Sequence, residues 1–135
     1  MKQLFYHSIW DTHALLVARI LMGGMFLLSG IQKFQGIDGV AGYIASAGLP
    51  APLALAWIVA VFEVLAGAAI ILGKYFREAA ILLAVFVVIV SFPFHGPGLW
   101  ETDITQQIFF TKNTAILAGL LFMAAHGPGR TWRLK

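Results

Sequence analysis

Four long apolar runs constrain this chain more than any other feature of its sequence. They cover roughly residues 14–32, 52–72, 79–94 and 108–125. A helix that crosses about 30 Å of hydrocarbon needs roughly 20 residues. The runs do not alternate apolar and polar residues as the strands of a membrane barrel do. The sequence therefore predicts an all-α fold, a four-transmembrane-helix bundle that forms a single membrane domain over residues 1–135.

The segments between the runs predict how the spans are connected. Between the first two runs, Ile37, Val40, Ala41, Ile44 and Ala45 recur at helical spacing, which predicts a short interfacial helix between spans 1 and 2. Residues 73–78 (GKYFRE) predict a tight hairpin, and residues 95–107 predict a polar, acidic loop.

Composition excludes several classes of protein. Hydrophobic residues make up 60% of the chain and charged residues only 11%, so the lipid bilayer is the expected surrounding. There is no cysteine, and hence no disulfide framework or thiolate metal site. The net charge of +3 includes no basic cluster, so no nucleic-acid partner is expected. An alternative interpretation, a signal peptide cleaved after Ala47, is disfavoured because that site lies far beyond the first apolar run.

Basic residues in the flanks of the spans predict the orientation. Lys2, Lys74, Arg77, Arg130, Arg133 and Lys135 fall on one side of a four-span bundle, and Lys33 alone falls on the other. Because Lys and Arg accumulate on the cytoplasmic side, we expect a multi-pass protein of the cell inner membrane with both termini cytoplasmic.

Two opposite charges lie inside the first two spans. Glu63 is the only carboxylate within a span, and Arg19 lies about a turn and a half into the first one. A charge inside the bilayer requires a partner or a route to water. The sequence thus predicts a buried Arg19–Glu63 ion pair between spans 1 and 2. Small residues beside them, Ala60 and Gly67 on one stripe and Gly23 on the other, predict close packing of the two helices.

A second polar group is expected near the outer ends of three spans. Lys33 ends span 1, His95 ends span 3, and Lys112 with Asn113 lies about one turn inside span 4. These groups predict a ligand site for an anion or a carbonyl, floored by Gly30 and Phe26. Trp100 either caps this site or sits in the membrane interface. In the alternative interpretation, both lysines reach lipid phosphates instead.

The sequence gives little support for a metal site, a haem site or a hydrolase site. No pair of histidines has metal-binding spacing, so no metal site is expected, and a haem held by His7 and His126 is a disfavoured alternative. No hydrolase or metalloprotease motif is present, and the catalytic residues are unknown.

These motifs together resemble the DoxX family of small bacterial membrane proteins. The resemblance covers about residues 14–130 and is carried by short motifs in a fixed order. They are Arg19; LLSGIQKF with Gly30 and Lys33; GLPAP; FEVLAGAAIILG with Glu63; Arg77; His95 with Trp100; FFTKNTAILAGLL with Lys112 and Asn113; and GPG with Gly127 and Gly129.

The resemblance implies a role in membrane redox chemistry. It suggests a membrane subunit of a quinone- or thiol/sulfur-linked oxidoreductase or of an oxidative-stress system. A quinone or a small anionic thiol or sulfur compound is the ligand it suggests for the outer site, and no cofactor is certain. A soluble redox partner protein and a homo-oligomer are the partners it suggests. The residues leave open whether the subunit is itself catalytic. Two other functions also stay open, a proton-coupled small-solute transporter that uses Glu63 and an assembly or scaffold protein without a small-molecule site.

Overall fold

A computed structural model describes residues 13–135 as a set of α-helices with short connections. In chain order the helices are α1 (Leu15–Gln35), α2 (Ile37–Ser46), α3 (Pro52–Leu72), α4 (Phe76–His95) and α5 (Ile104–His126). A 3₁₀ turn, Pro97–Leu99, lies between the last two. Lys2, used above to predict the orientation, and His7, considered above as a haem ligand, lie outside the described residues.

The long helices confirm the predicted fold class. Among the described residues, α1, α3, α4 and α5 are each long and apolar enough to cross a membrane. The short helix α2 lies between the first two of them, where an interfacial helix was predicted. The four apolar runs of the sequence therefore correspond one to one with these helices.

Two predicted connections are shorter in the structure. The hairpin predicted over residues 73–78 is limited to residues 73–75, because Gly73 (φ 70°) and Tyr75 (φ 53°) reverse the chain and α4 begins at Phe76. The loop predicted to end at residue 107 ends at Asp103, which caps α5 by accepting a hydrogen bond from Thr105 N at 2.9 Å. A polar N-cap starts a helix before its apolar residues begin, so hydropathy places the start of α5 too late.

Helices α1 and α3 pack closely because glycines meet at their interface. A Cβ on Gly23 would lie 2.6 Å from the carbonyl oxygen of Gly67, and one on Gly30 would lie 2.9 Å from that of Ala60. Small residues allow helix backbones to approach in this way in lipid. These contacts fix the antiparallel register of the two helices. A residue of α1 faces the residue of α3 whose number, added to its own, makes about 90.

The bundle consists of two helix pairs, α1–α3 and α4–α5, which contact each other less extensively. Residues 127–135 turn back beneath α3, where Leu134 N donates to Leu72 O at 2.8 Å. We call this end of the bundle the tail end, and the opposite end the α2 end. The packed core lies mostly in the half nearer the tail end and includes Ile70, Ala80, Leu83, Leu120 and Met123.

Candidate functional site: a cavity between the helix pairs

Glu63 forms an ion pair with Lys33. Lys33 Nζ lies 2.8 Å from Glu63 Oε2 and also donates to Ser29 Oγ at 2.7 Å. The Glu63 side chain is 5% exposed and that of Lys33 is 25% exposed. The pair therefore connects the buried middle of α3 to the less buried end of α1.

The predicted Arg19–Glu63 ion pair is wrong, and the helix register explains why. By the register above, Arg19 faces residue 71, which lies about 12 Å along α3 from Glu63 at 1.5 Å per residue. Side chains also lean toward the N-terminus of their own helix. Because α1 and α3 are antiparallel, their side chains lean in opposite directions along the bundle. Arg19 therefore leans away from Glu63, whereas Lys33 and Glu63 lean toward each other.

Arg19 is instead surrounded by backbone carbonyls at the tail end. Its guanidinium donates to the carbonyls of Ile70 and Ile71 at the end of α3, at 3.4 and 2.6 Å. It also donates to three carbonyls of the C-terminal segment, those of Pro128, Thr131 and Trp132. A cation suits the carbonyl end of a helix, so this buried charge needs no carboxylate.

A cavity of about 580 Å³ lies between the two helix pairs in the half toward the α2 end. All five helices contribute to its wall, which is mainly apolar. Its polar residues include Ser29, Lys33, Glu63, His95 and Asn113. Ligand pockets of this kind combine an apolar wall with a few polar groups and span about 300–1,000 Å³. The cavity is therefore large enough for a small organic molecule.

The cavity unites part of the predicted ligand site. Lys33, His95 and Asn113 line it, together with Phe26, whereas Lys112 and Trp100 do not. Lys112 is exposed, and its Nζ lies 5.8 Å from the centre of the Phe109 ring. Trp100 donates its indole N–H to the carbonyl of His95 at 2.9 Å, and so holds the end of α4. These two residues stand outside the site that the sequence predicted for them.

A chain of hydrogen bonds links His95 to the surface. His95 Nδ1 lies 2.7 Å from Gln106 Oε1, and Gln106 Nε2 donates to Asp103 Oδ2 at 3.0 Å. The bonds from Gln106 and Thr105 hold the pKa of the exposed Asp103 carboxyl below its usual value. The imidazole that lines the cavity is thus connected to an ionised carboxylate in the loop.

The Asn113 side chain on α5 is held in place by Ser91 on the neighbouring helix α4. Its Nδ2 donates to Ser91 Oγ at 3.0 Å, and Ser91 in turn donates to Val87 O at 2.6 Å. Both residues lie within spans, where an amide or hydroxyl without a hydrogen-bond partner is costly. These bonds fix the Asn113 amide beside the cavity. Within residues 13–135 its other N–H and its oxygen form no hydrogen bond, so both can serve a ligand.

Helix α2 covers the cavity at its own end. Val40, Tyr43 and Ile44 of α2 line the wall, and the Tyr43 ring stacks on Phe94 with centroids 4.9 Å apart. Partial burial and then the charge of Asp103 raise the pKa of the Tyr43 hydroxyl, which therefore stays protonated. The predicted interfacial helix thus forms part of the site.

The sequence predictions missed Glu63, Tyr43 and Gln106 as members of the site. Glu63 was assigned to a separate ion pair, although its position opposite Lys33 follows from the lean of side chains in antiparallel helices. Gln106 was placed in a loop, and no local pattern connects it to His95. Within residues 13–135, no group of three or more histidine, aspartate or glutamate side chains is placed to hold a metal ion.

Comparison with known proteins places these features in a family. The family model described as DoxX matches residues 14–96, which include α1 to α4 and the residues Lys33, Glu63 and His95. No solved structure matches the chain.

Three relatives illustrate the similarity. The inner membrane protein YphA of Escherichia coli is 35% identical over 117 residues, which cover 85% of this chain and 84% of that protein. The inner membrane protein YqjF of the same organism is 33% identical, with 84% of each chain covered. A Bacillus subtilis protein named "Putative oxidoreductase CatD" is 26% identical over 81% of each chain.

Proposed function

The chain belongs to the DoxX family, and from this premise we propose that it is the quinone-binding membrane subunit of an oxidoreductase or oxidative-stress system. Its relatives are inner membrane proteins, and it has four helices apolar enough to span a membrane within the described residues. The observation that carries the proposal is the mainly apolar cavity, which holds an acid–base pair, an imidazole and an amide.

The position of the cavity favours a ligand that dissolves in lipid. Met25 and Ile89 line it and are 40% and 62% exposed on the outside of the bundle. Both belong to membrane-spanning helices, so this exposed surface faces acyl chains. A quinone with a hydrophobic tail can enter sideways between the helix pairs, whereas a water-soluble substrate would have to cross the covering helix α2.

The charge balance favours one of the two ligand classes that the sequence left open. The ion pair with Glu63 neutralises Lys33, and Lys112 lies outside the cavity. The site therefore carries no net positive charge that would offset the cost of desolvating an anionic sulfur compound. An uncharged ring with two polar oxygens suits this environment better.

The polar residues supply hydrogen bonds that such a ring requires. The remaining N–H groups of Lys33 and Asn113 can donate to its oxygens, and Glu63 and His95 can exchange protons with them. The chain contains no cysteine and hence no dithiol for electron exchange. We therefore assign the electron transfer to a partner protein, and the homo-oligomer suggested by the sequence stays a prediction.

A cavity-filling variant tests the proposal. Val90 lines the cavity, whereas Val88 on the same helix is 40% exposed and does not. Val90→Trp should abolish saturable binding of a short-tail benzoquinone to the detergent-solubilised protein, measured by fluorescence quenching. Val88→Trp is the matched control and should bind like the wild type. Absence of saturable binding to the wild type, or equal binding by both variants, would refute the proposal.

A further inference from the structure

We propose that the cavity selects the hydroquinone form of its ligand over the quinone form, because Asp103 and Gln106 hold His95 as a hydrogen-bond acceptor toward it. This inference rests on the proposed quinone-binding function and adds the redox state of the ligand. In this scheme Gln106 and Asp103 are positioning residues, and His95 is the residue that contacts the ligand.

The direction of the hydrogen-bond chain starts at Asp103. An ionised carboxylate has no proton to donate, so the amide group that faces it must be the N–H₂ group. Gln106 Nε2 accordingly lies 3.0 Å from Asp103 Oδ2. Asp103 Oδ1 also accepts the backbone N–H of Thr105, which fixes the carboxylate at the start of α5. The lowered pKa of Asp103 keeps it ionised at neutral pH.

The orientation of Gln106 determines the tautomer of His95. With its N–H₂ group on Asp103, Gln106 presents only Oε1 to the imidazole, at 2.7 Å from Nδ1. An oxygen acceptor requires a proton on Nδ1, and neutral imidazole has only one ring proton. Nε2 is therefore an acceptor. Among residues 13–135 it forms no hydrogen bond, which leaves it for the ligand in the cavity that His95 lines.

Glu63 supplies a second acceptor in the same cavity. Its Oε2 accepts from Lys33, and no hydrogen bond to Oε1 is formed from the described part of the chain. A hydroquinone can donate an O–H to either acceptor, whereas a quinone carbonyl has only lone pairs to offer. The remaining N–H groups of Lys33 and Asn113 do not discriminate, because the oxygens of both forms accept hydrogen bonds.

The selection can be measured as a ratio of affinities. We expect the wild-type protein to bind a decyl-substituted benzohydroquinone about tenfold more tightly than its quinone under anaerobic conditions, since the quinone leaves an acceptor in the cavity without a hydrogen bond. A tenfold preference corresponds to a rise of about 30 mV in the two-electron potential of the bound probe. Competition between the two forms provides both affinities in one preparation.

Two variants test whether the chain from Asp103 causes the preference. Asp103→Asn keeps a good N-cap but can donate as well as accept, so Gln106 can turn its N–H₂ group toward His95. The preference should then fall to less than about threefold, while the variant stays folded because Asn also caps the helix. The double variant Asp103→Asn/Gln106→Glu places a carboxylate next to His95 Nδ1 and should restore the preference. Asp38→Asn is the control, since it removes an exposed charge on α2.

Each outcome distinguishes this inference from the function on which it rests. If neither form binds, the proposed function fails and this inference fails with it. Equal binding of both forms by the wild type would overturn only the selection. An unchanged preference in Asp103→Asn, or no recovery in the double variant, would overturn the role of the hydrogen-bond chain.

Discussion

Lys33 and Glu63 form an ion pair across the α1–α3 interface, with Nζ and Oε2 2.8 Å apart. They are not directly opposite each other, since Glu63 lies six residues along α3 from the position that Lys33 faces. Each side chain leans toward the N-terminus of its own helix, and for this pair the two directions converge because Lys33 lies nearer the α2 end than Glu63 does. The two partners differ in burial, at 25% and 5% exposure, so loss of one is not equivalent to loss of the other.

Removal of Lys33 should destabilise the protein more than neutralisation of Glu63. Lys33→Met leaves a buried carboxylate without its partner and should lower the free energy of unfolding by about 3–5 kcal/mol. Glu63→Gln leaves a lysine that can extend toward water, and should cost less. Lys33→Met/Glu63→Leu should recover most of the loss. Thermal unfolding in detergent measures the series.

A matched lysine provides the control for that series. Lys112 is exposed, lies outside the cavity and contacts the Phe109 ring. Lys112→Met should therefore change neither stability beyond about 0.5 kcal/mol nor quinone binding. If Lys112→Met is as harmful as Lys33→Met, Lys112 has a role that its position outside the cavity does not explain.

Arg19 should hold the C-terminal segment against α3. Arg19→Met leaves the carbonyls of Pro128, Thr131 and Trp132 without their donor, and should cost about 3 kcal/mol or more. Trypsin should then cut faster after Arg130 and Arg133 in the solubilised protein. Lys74→Met, which changes an exposed residue at the same end, should leave the cleavage rate unaltered. Equal rates in Arg19→Met and wild type would contradict this role.

Neighbouring glycines of α1 should respond to alanine in opposite ways. A Cβ on Gly23 would lie 2.6 Å from Gly67 O, whereas one on Gly24 would have no atom within 4 Å. Gly23→Ala should destabilise by about 1–3 kcal/mol because the backbone of α3 has to move. Gly24→Ala should stabilise by about 0.5–1 kcal/mol because alanine favours helix. Unfolding midpoints in a mild denaturing detergent compare the two, and the same sign for both would contradict the close packing.

The orientation in the membrane can be tested by labelling, since the chain contains no cysteine. Thr102 lies in the loop at the α2 end and Leu134 at the tail end, and both are exposed. We propose that the tail end is cytoplasmic because the basic residues accumulate there. In intact cells, an impermeant thiol reagent should label Thr102→Cys and not Leu134→Cys. The reverse pattern would invert the proposed topology.

Acid should weaken the start of α5 through Asp103. Its folded-state pKa lies below the usual value of 3.8, chiefly because Gln106 and Thr105 donate to the carboxylate. A lowered pKa contributes stability that is present above the unfolded-state value and is lost as pH falls through the folded-state value. Melting temperatures measured from pH 5 to pH 2.5 should therefore fall more steeply for wild type than for Asp103→Asn. Parallel profiles would contradict this contribution.

The amino-acid sequence by itself determined the elements and the buried faces. Run length and hydropathy depend only on local composition, so the four long helices and the short helix α2 were predictable. The stripes that contain Gly23, Ala60 and Gly67 were predictable too, because helical periodicity is also local. The grouping of Lys33, His95 and Asn113 around one cavity followed from their similar depth in the spans.

The tertiary structure alone decided which of these groups bind each other. The partner of Glu63 depends on the axial register of α1 against α3, which the contacts at Gly23 and Gly30 set. The carbonyls around Arg19 come from a segment that turns back only after the last helix. Gln106 reaches His95 because Asp103 starts α5 one turn earlier than hydropathy indicates. Hydrogen bonds and ion pairs require agreement within about an ångström, and only the packed backbone positions side chains that closely.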